Sequence, residues 1–462
     1  MILEREQIQR YLRHILMPEI SGRGQKKLLD SSILIYCHSL SNSALMLYYL
    51  AAMGIGKISC YTEDLTGIKF IKEHINKLNP DVDFSIVLET KDNYDAAVIC
   101  CEKSELPSNI CDWHIPTILS ATSGDYGFLK SIILNKSIHG AIEEINSFYT
   151  KISNQQADTL FNKSCISLLG VLTSIEVVKA LLKIGITQEE TLQFDLYSYD
   201  FEYGKDLANV QLYNLDQENI IKTINKAKVL IVGSGGLGSP VAYMLASMGI
   251  GKLGLVDYDT VEISNLNRQI LHSTDKIEMA KVKSAAEFLK RLHPEMAICT
   301  YEQKFSIENA EDIIKDYDIV IDGLDNLPTR YLLNDVCYFM KKTLIEAGVL
   351  GFKGLATTIQ PDIGPCYRCI FPESSDNSTI PACSETGVLG AVPGVMGIIQ
   401  AIEALKHLTG IGIPLQGKIL QFDAMDLDIT VLDIHKEPRC ELCGNTATIH
   451  SLKNYEFVCT NK

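Results

Sequence analysis

Four segments of this chain occur twice, in the same order. Residues 33–64, ILIYCHSLSNSALMLYYLAAMGIGKISCYTED, align with 229–259 once one extra residue is allowed in the first copy. Residues 75–89, 94–103 and 192–200 align in turn with 289–303, 317–326 and 420–428; the last pair reads LQFDLYSYD and LQFDAMDLD. A repeat of this kind means one domain written twice, because matching segments must bury matching faces. A chain of 462 residues has room for two such domains. The expected class is α/β. The first domain covers 1–205, a polar and irregular linker 206–225, and the second domain 226–462.

The second copy carries the more informative version of the repeat. Val229 to Val232 is an apolar run, rich in β-branched residues, that reads as a buried strand. It leads into GSGGLGS, in which Gly233, Gly235, Gly236 and Gly238 let the backbone approach a phosphate. The helix that follows would direct its free N–H groups at the anion. Ser239 suits the N-cap of that helix, Pro240 its first position and Gly249 its end. A second strand, Lys252 to Val256, delivers Asp257, placed to accept hydrogen bonds from a ribose. This is a βαβ nucleotide-binding unit, and by itself it leaves NAD and ATP both open.

Beyond Asp259, the residues Asn265, Arg268 and Gln269 fall together in a polar loop. The planar fork of Arg268 suits phosphate oxygens. Lys281 opens a helix that runs toward Leu292, although a solvated position is the commoner fate of a single lysine. Asp325 and Asn326 close the strand 318–326, at the carboxyl edge where open α/β sheets bind ligands. Asp325 there suits Mg²⁺ bridging nucleotide phosphates. The first copy differs at each of these places. CHSLSNS replaces the glycine loop, Thr62 stands for Asp257, Glu102 for Asp325, and nothing corresponds to Val261–Lys283. The first copy is expected not to bind nucleotide in the same way; another ligand there stays open.

The formal charge of −15 disfavours nucleic acid and anionic membranes as partners. The N-terminus is charged from Glu4 onward and does not read as a secretion signal. The apolar stretch Leu389 to Leu405 carries Gln400 and Glu403 and is short for a membrane span. Fourteen cysteines then suggest a reducing cytoplasm, with thiols used for metal, chemistry or packing. Cys366 and Cys369 of CYRC, with Cys440 and Cys443 of CELC, supply the four thiolates of a structural Zn²⁺ site with no open position. Cys383 lies in a loop rich in Pro and Gly. A nucleophilic role would require an exposed, electropositive setting.

In this order and spacing, GSGGLGS, LVDYDTVEISNLNRQILH, Lys281, LDN at 324–326, PCYRC, CSETGVLG and CELCG resemble the MoeB/ThiF/HesA adenylyltransferases of the ubiquitin-activating-enzyme superfamily. The resemblance covers nearly all of the second copy. It implies ATP and Mg²⁺ as cofactors. It also implies attack by the C-terminal glycine carboxylate of a small ubiquitin-like sulfur-carrier protein on the α-phosphate. On this chain it gives the ribose to Asp257 and the phosphates to Asn265, Arg268 and Lys281, with Gln269 beside them. It gives Mg²⁺ to Asp325, next to Asn326, and makes Cys383 a candidate for a later thiol-linked step. A short ribosomal peptide of the microcin-C type is the alternative acyl donor for the same catalytic set. An NAD(P) oxidoreductase leaves Arg268, Lys281 and the CxxC pairs unexplained, and a non-enzymatic scaffold describes only the first copy well.

Residues 9–28, QRYLRHILMPEISGRGQKKL, resemble the family's N-terminal helix, which in homodimeric members lends an arginine to the neighbouring subunit's ATP. Arg13 matches that arginine, and the second copy has no equivalent. The resemblance thus implies two tandem Rossmann-like ThiF-type domains forming an intramolecular pseudo-dimer. In it the first copy lends Arg13 and the second does the chemistry; further pairing of such units stays open. No rhodanese or ubiquitin-fold domain follows, so onward sulfur transfer within this chain is not expected.

Overall fold

A computed structural model describes residues 3–88, 93–101, 114–132, 138–152, 160–187, 190–204, 216–372 and 387–455. Two eight-stranded sheets stand out. The first contains β1 (Ser32–Cys37), β2 (Lys57–Tyr61), β3 (Asp83–Ile86), β4 (Ala96–Cys101), β5 (Thr117–Ser123), β6 (Tyr126–Ile132), β7 (Leu192–Asp195) and β8 (Asp200–Tyr203). The second contains β9 (Lys228–Val232), β10 (Lys252–Val256), β11 (Ala297–Tyr301), β12 (Ile319–Asp322), β13 (Thr343–Leu350), β14 (Lys353–Ile359), β15 (Lys418–Asp423) and β16 (Asp428–Asp433). The orders are β3-β2-β1-β4-β5-β6-β7-β8 and β11-β10-β9-β12-β13-β14-β15-β16, the same sequence of positions twice. In each, five strands run parallel and the rest follow as an antiparallel meander.

The first sheet is accompanied by α1 (Arg5–Arg10), α2 (Leu12–Ile15), α3 (Ser21–Asp30), α4 (Ala44–Ala52), α5 (Ile68–Leu78), α6 (Ile138–Ile152) and α7 (Leu160–Leu182). The second is accompanied by α8 (Gln217–Lys226), α9 (Gly238–Ser247), α10 (Lys281–Leu292), α11 (Ala310–Ile314), α12 (Leu327–Phe339), α13 (Tyr367–Ile370) and α14 (Val392–Thr409). The halves meet through α4, α7, α9 and α14. A helix sandwiched between its own sheet and another half needs apolar residues all round, and every residue of α4 is buried. One apolar core therefore runs unbroken from Ile33 and Leu47 to Ile231 and Val395. α7 is long and apolar enough to cross a membrane, yet 78% of its most apolar window is buried inside the molecule.

Contacts at the seam come in matching pairs. Ser131 donates to Glu176 (2.7 Å), which accepts from Lys179 (2.6 Å). At the corresponding places, Thr358 donates to Glu403 (2.5 Å), and Lys406 lies 3.8 Å from the same carboxylate. Ile186 N–H donates to Met425 O (2.8 Å), and Ile413 N–H donates to Tyr197 O (2.7 Å). The match is not complete: Tyr199 donates to Glu403 across the seam, and the residue aligned with it in the second half is Leu427.

Three local expectations are corrected. The stretch read as an irregular linker contains α8. Asp216 caps it by accepting from Asn219 N–H, and Ile220 and Ile224, one turn apart, are buried. A stripe of two apolar residues among polar ones is too thin to stand out in sequence. α9 begins at Gly238 with Leu237 as its N-cap, so Ser239 and Pro240 sit inside its first turn. The helix springs directly from the glycine turn. β12 stops at Asp322, leaving Asp325 and Asn326 in the following loop, where the Asn326 side chain caps α12.

Candidate functional site

A cleft opens where β9, β10 and β12 end, at the reversal of strand order in the second sheet. About 1020 Å³ between its walls, open solvent included, is free of protein atoms. Gly235 and Gly236 line it directly; a Cβ on Gly235 would meet nothing closer than Gln269 Nε2 at 3.4 Å. Gly233 and Gly238 serve the turn itself. Gly233 has φ +100°, and a Cβ on Gly238 would fall 1.9 Å from Gly233 O. Gly238 is not part of the cleft wall.

Asp257 ends β10 and faces the glycine turn. Its carboxylate accepts from Ser234 N–H (2.7 Å) and Asp259 N–H (2.9 Å). Burial raises its pKa, while Lys281 and these two N–H groups oppose the rise. Lys281, at the start of α10, donates to Asp259 (2.9 Å) and also lines the cleft. Arg268 Nη1 donates to Ser264 O and Asn267 Oδ1, each at 2.9 Å, which orients its fork. Gln269 and Asp325 line the same wall with Asn326, whose oxygen accepts from Thr329 N–H (3.1 Å). Ser234 Oγ and Gln269 Oε1 are buried without a hydrogen-bond partner, as expected beside a site meant for a polar ligand.

Asn265 is placed differently from the expectation. It lies outside the cleft wall, and its Oδ1 accepts from Glu262 N–H (3.1 Å) to close the 3₁₀ turn Ile263–Asn265. Its carbonyl then accepts from the N–H groups of Arg268 (3.1 Å) and Gln269 (3.0 Å). Arg13 of α2, in the first half, lines this second-half cleft. Cys383 and Glu102 lie outside the described residues.

The cleft also contains Tyr258 and Val388, from within the quoted motifs, and Lys304, Phe305 and Arg330, which no motif announces. Lys304 and Phe305 follow β11, which only the sheet order brings beside β10. Arg330 hydrogen-bonds Leu324 O and the carboxyl of Glu346, and lies 3.9 Å from Asp322. Burial pushes the Glu346 carboxyl well above the usual range, against the pull of Arg330. Two fully buried carboxyls, Asp322 and Glu346, thus lie against one guanidinium.

Cys366, Cys369, Cys440 and Cys443 come together with all four sulfurs within 4.8 Å of one another. The Sγ–Sγ separations include 3.3 Å for Cys369–Cys443 and 3.5 Å for Cys366–Cys440. Four soft donors at this spacing fit a tetrahedral ion with no open position. The knuckle is braced by Arg368, which pairs with Asp335 through two hydrogen bonds (3.0 and 2.9 Å). The Arg368 guanidinium stacks between Tyr331 and Tyr455, at 4.7 and 4.9 Å from their ring centres.

At the same place in the first half, strand register puts Cys37 and Cys100 where the second has Gly233 and Gly323. Tyr36 stacks on Tyr61 (5.1 Å), at the positions of Val232 and Val256, both of which line the second cleft. β2 connects to α5 through residues 62–67, whereas β10 connects to α10 through 257–280.

The profile of the ThiF family matches residues 203–443. The chain is 43% identical over 232 residues to the SAMP-activating enzyme E1 of Haloferax volcanii, a match spanning 50% of this chain and 85% of that protein. It is 40% identical over 241 residues to the sulfur carrier protein adenylyltransferase of Thermus thermophilus, spanning 51% of this chain and 89% of the relative. It is 44% identical over 234 residues to the adenylyltransferase and sulfurtransferase MOCS3 of Bos taurus, spanning 50% and 51%.

Proposed function

The chain belongs to the ThiF family, and from that premise we propose that it is an ATP-dependent adenylyltransferase acting on the C-terminal carboxylate of a small ubiquitin-like sulfur-carrier protein. The observation that carries the reading is the composition of one cleft. Glycine-loop backbone, Asp257, Arg268, Lys281 and Asp325 from the second half meet Arg13 from the first. The names of the relatives support a protein carrier, and none of the three mentions a short peptide.

A carboxylate that attacks a polyphosphate must overcome repulsion between anions. Asp257 would accept from the ribose hydroxyls, and the N–H groups of Gly235 and Gly236 would lie along the phosphates. Arg13, Arg268 and Lys281 would screen the negative charge as the carboxylate oxygen bonds to the α-phosphorus. Its bond to the bridging oxygen breaks and pyrophosphate leaves. Asp325 would hold Mg²⁺, which supplies further charge neutralisation on the phosphates. The four cysteines would hold a structural Zn²⁺ that ties the segment after β16 to α13.

The two halves act in this reading as an intramolecular pseudo-dimer. Identical strand order and the paired seam contacts support that, as does Arg13 reaching the other half's cleft. The first half would not bind nucleotide: the thiols at Cys37 and Cys100 and the stacked Tyr36–Tyr61 pair support this. Free thiols throughout the described residues support placement in a reducing cytoplasm. The test is ATP–pyrophosphate exchange with purified candidate carriers ending in Gly-Gly, read together with intact mass for the acyl-adenylate. No exchange with any cognate carrier in the presence of Mg²⁺ overturns the reading.

A further inference from the structure

Residues 387–390 are held by the helix that carries Arg13. Val388 N–H donates to Arg13 O (3.3 Å), and Gly390 N–H donates to His14 Nε2 (2.9 Å). Gly387, at φ +75°, packs so closely that a Cβ would come 2.4 Å from Arg13 O. His14 is wholly buried, with Nδ1 2.8 Å from Gln25 Oε1, and Gln25 Nε2 donates to Met53 O (3.0 Å). These partners fix the tautomer. A backbone N–H can only donate, so Nε2 accepts and Nδ1–H donates to Gln25.

The other side of Gly390 faces the loop of Arg268. A Cβ on Gly390 would fall 2.1 Å from Asn267 O, and Asn267 Oδ1 accepts from Arg268 Nη1 (2.9 Å). Residues 387–390 are thus a spacer between the two cleft arginines, one from each half, and Val388 itself lines the cleft. His14 touches none of the cleft, yet it supplies the spacer's buried attachment to the first half.

We propose that His14 is a positioning residue: the relay Met53–Gln25–His14–Gly390 sets the distance between Arg13 and Arg268. Its effect on the reaction rests on the cleft being the ATP site. Burial keeps the ring in the neutral form that the relay needs, with its pKa lowered to about 4.

Full-length His14→Leu, His14→Gln, Arg13→Ala and the His14→Leu/Arg13→Ala double variant are compared with the unaltered protein. Amide hydrogen exchange is measured first, without nucleotide. His14→Leu should speed exchange at Gly390 by roughly tenfold, the size of one lost hydrogen bond, while β9 and β12 keep their protection. His14→Gln, which keeps an acceptor, should lie between. Unchanged exchange at Gly390 in His14→Leu overturns the relay. ATP affinity is measured next by calorimetry. His14→Leu should weaken binding roughly tenfold alone and add nothing to Arg13→Ala, because its effect passes through that arginine. Equal weakening in both backgrounds overturns the positioning role. If His14→Leu does not fold, His14→Asn, which keeps the donor to Gln25 and loses the acceptor for Gly390, takes its place. The exchange measurement needs no ATP chemistry, so a failure of adenylation and a failure of the relay are read separately.

Discussion

Lys281 Nζ donates to Asp259 Oδ2 across 2.9 Å, from the first turn of α10 to the loop after β10. The lysine side chain is 9% exposed and the carboxylate 48%, so the ammonium is held at the cleft wall by a partner that faces water. Such a cation is oriented before any ligand arrives, and it need not be reorganised during reaction.

Removing that cation should therefore affect rate more than folding. Lys281→Ala is expected to lower the rate constant of pyrophosphate exchange by about a hundredfold or more, in line with the loss of one preorganised charge. Asp259→Ala keeps the cation and loses only its tether, so the loss should be smaller. Steady-state kinetics with paired thermal melts decide it; equal losses would show that the tether matters as much as the charge.

Asp325→Ala should abolish exchange at millimolar Mg²⁺ while leaving the melting temperature close to that of the unaltered protein, because Asp325 sits in a loop beyond β12. Titration with Mg²⁺ is the check. Activity that survives unchanged removes Asp325 from the metal site.

Asp257→Asn should weaken ATP binding, because the amide keeps one acceptor where the carboxylate offers two, one to Ser234 N–H and one to Asp259 N–H. Burial raises the folded-state pKa of this carboxyl, so in the unaltered protein its contribution makes the folded state less stable as pH climbs from the ordinary carboxylate range through the raised value. Calorimetric titration with ATP at neutral pH is the check; unchanged affinity removes Asp257 from the ribose site.

His14 and His74 both make hydrogen bonds across the seam, to Gly390 N–H and to Ile270 O, and burial lowers each to about 4. A depressed histidine pKa contributes stability that is present above the ordinary value of 6.5 and is lost as pH falls toward 4. Each shift corresponds to roughly 3 kcal/mol. Acid unfolding followed by circular dichroism should steepen between these values, and His74→Asn should flatten the slope.

Cys440→Ser should lower bound zinc and the melting temperature together, since a structural site can supply about 10 kcal/mol or more of apparent binding energy. Metal content by mass spectrometry of the native protein is the check. Full zinc in a protein lacking both knuckles would remove these four cysteines from the assignment.

The sheets were legible because repeated apolar runs and their turn residues are local signals. β9, β10 and α10 fall where the hydrophobic pattern puts them. The four cysteines announce themselves by spacing, and the structure gathers them. Arg330 and Lys304 were not legible, because one reaches the cleft from the first turn of α12 and the other from the loop after β11, and the place of each depends on which strands are neighbours. Asn265 lies in the loop that the sequence marks, but its oxygen accepts from Glu262 N–H, a local partner that no motif announces. Backbone groups compete for polar side chains, and a sequence does not say which will win.

Arg13 and the glycine loop belong to one polypeptide, with an unbroken apolar core between them. Where an arginine is lent between separate subunits, dilution parts lender from borrower and specific activity falls. Here the arginine is covalently tethered, and its local concentration at the cleft is independent of how much enzyme is present. Turnover per molecule should stay constant as the protein is diluted far below the range in which subunits separate. In the proposed pseudo-dimer the same tether would release the first half from any need to keep a glycine turn of its own, and the ends of its strands carry Cys37, Cys100 and the stacked Tyr36–Tyr61 pair instead.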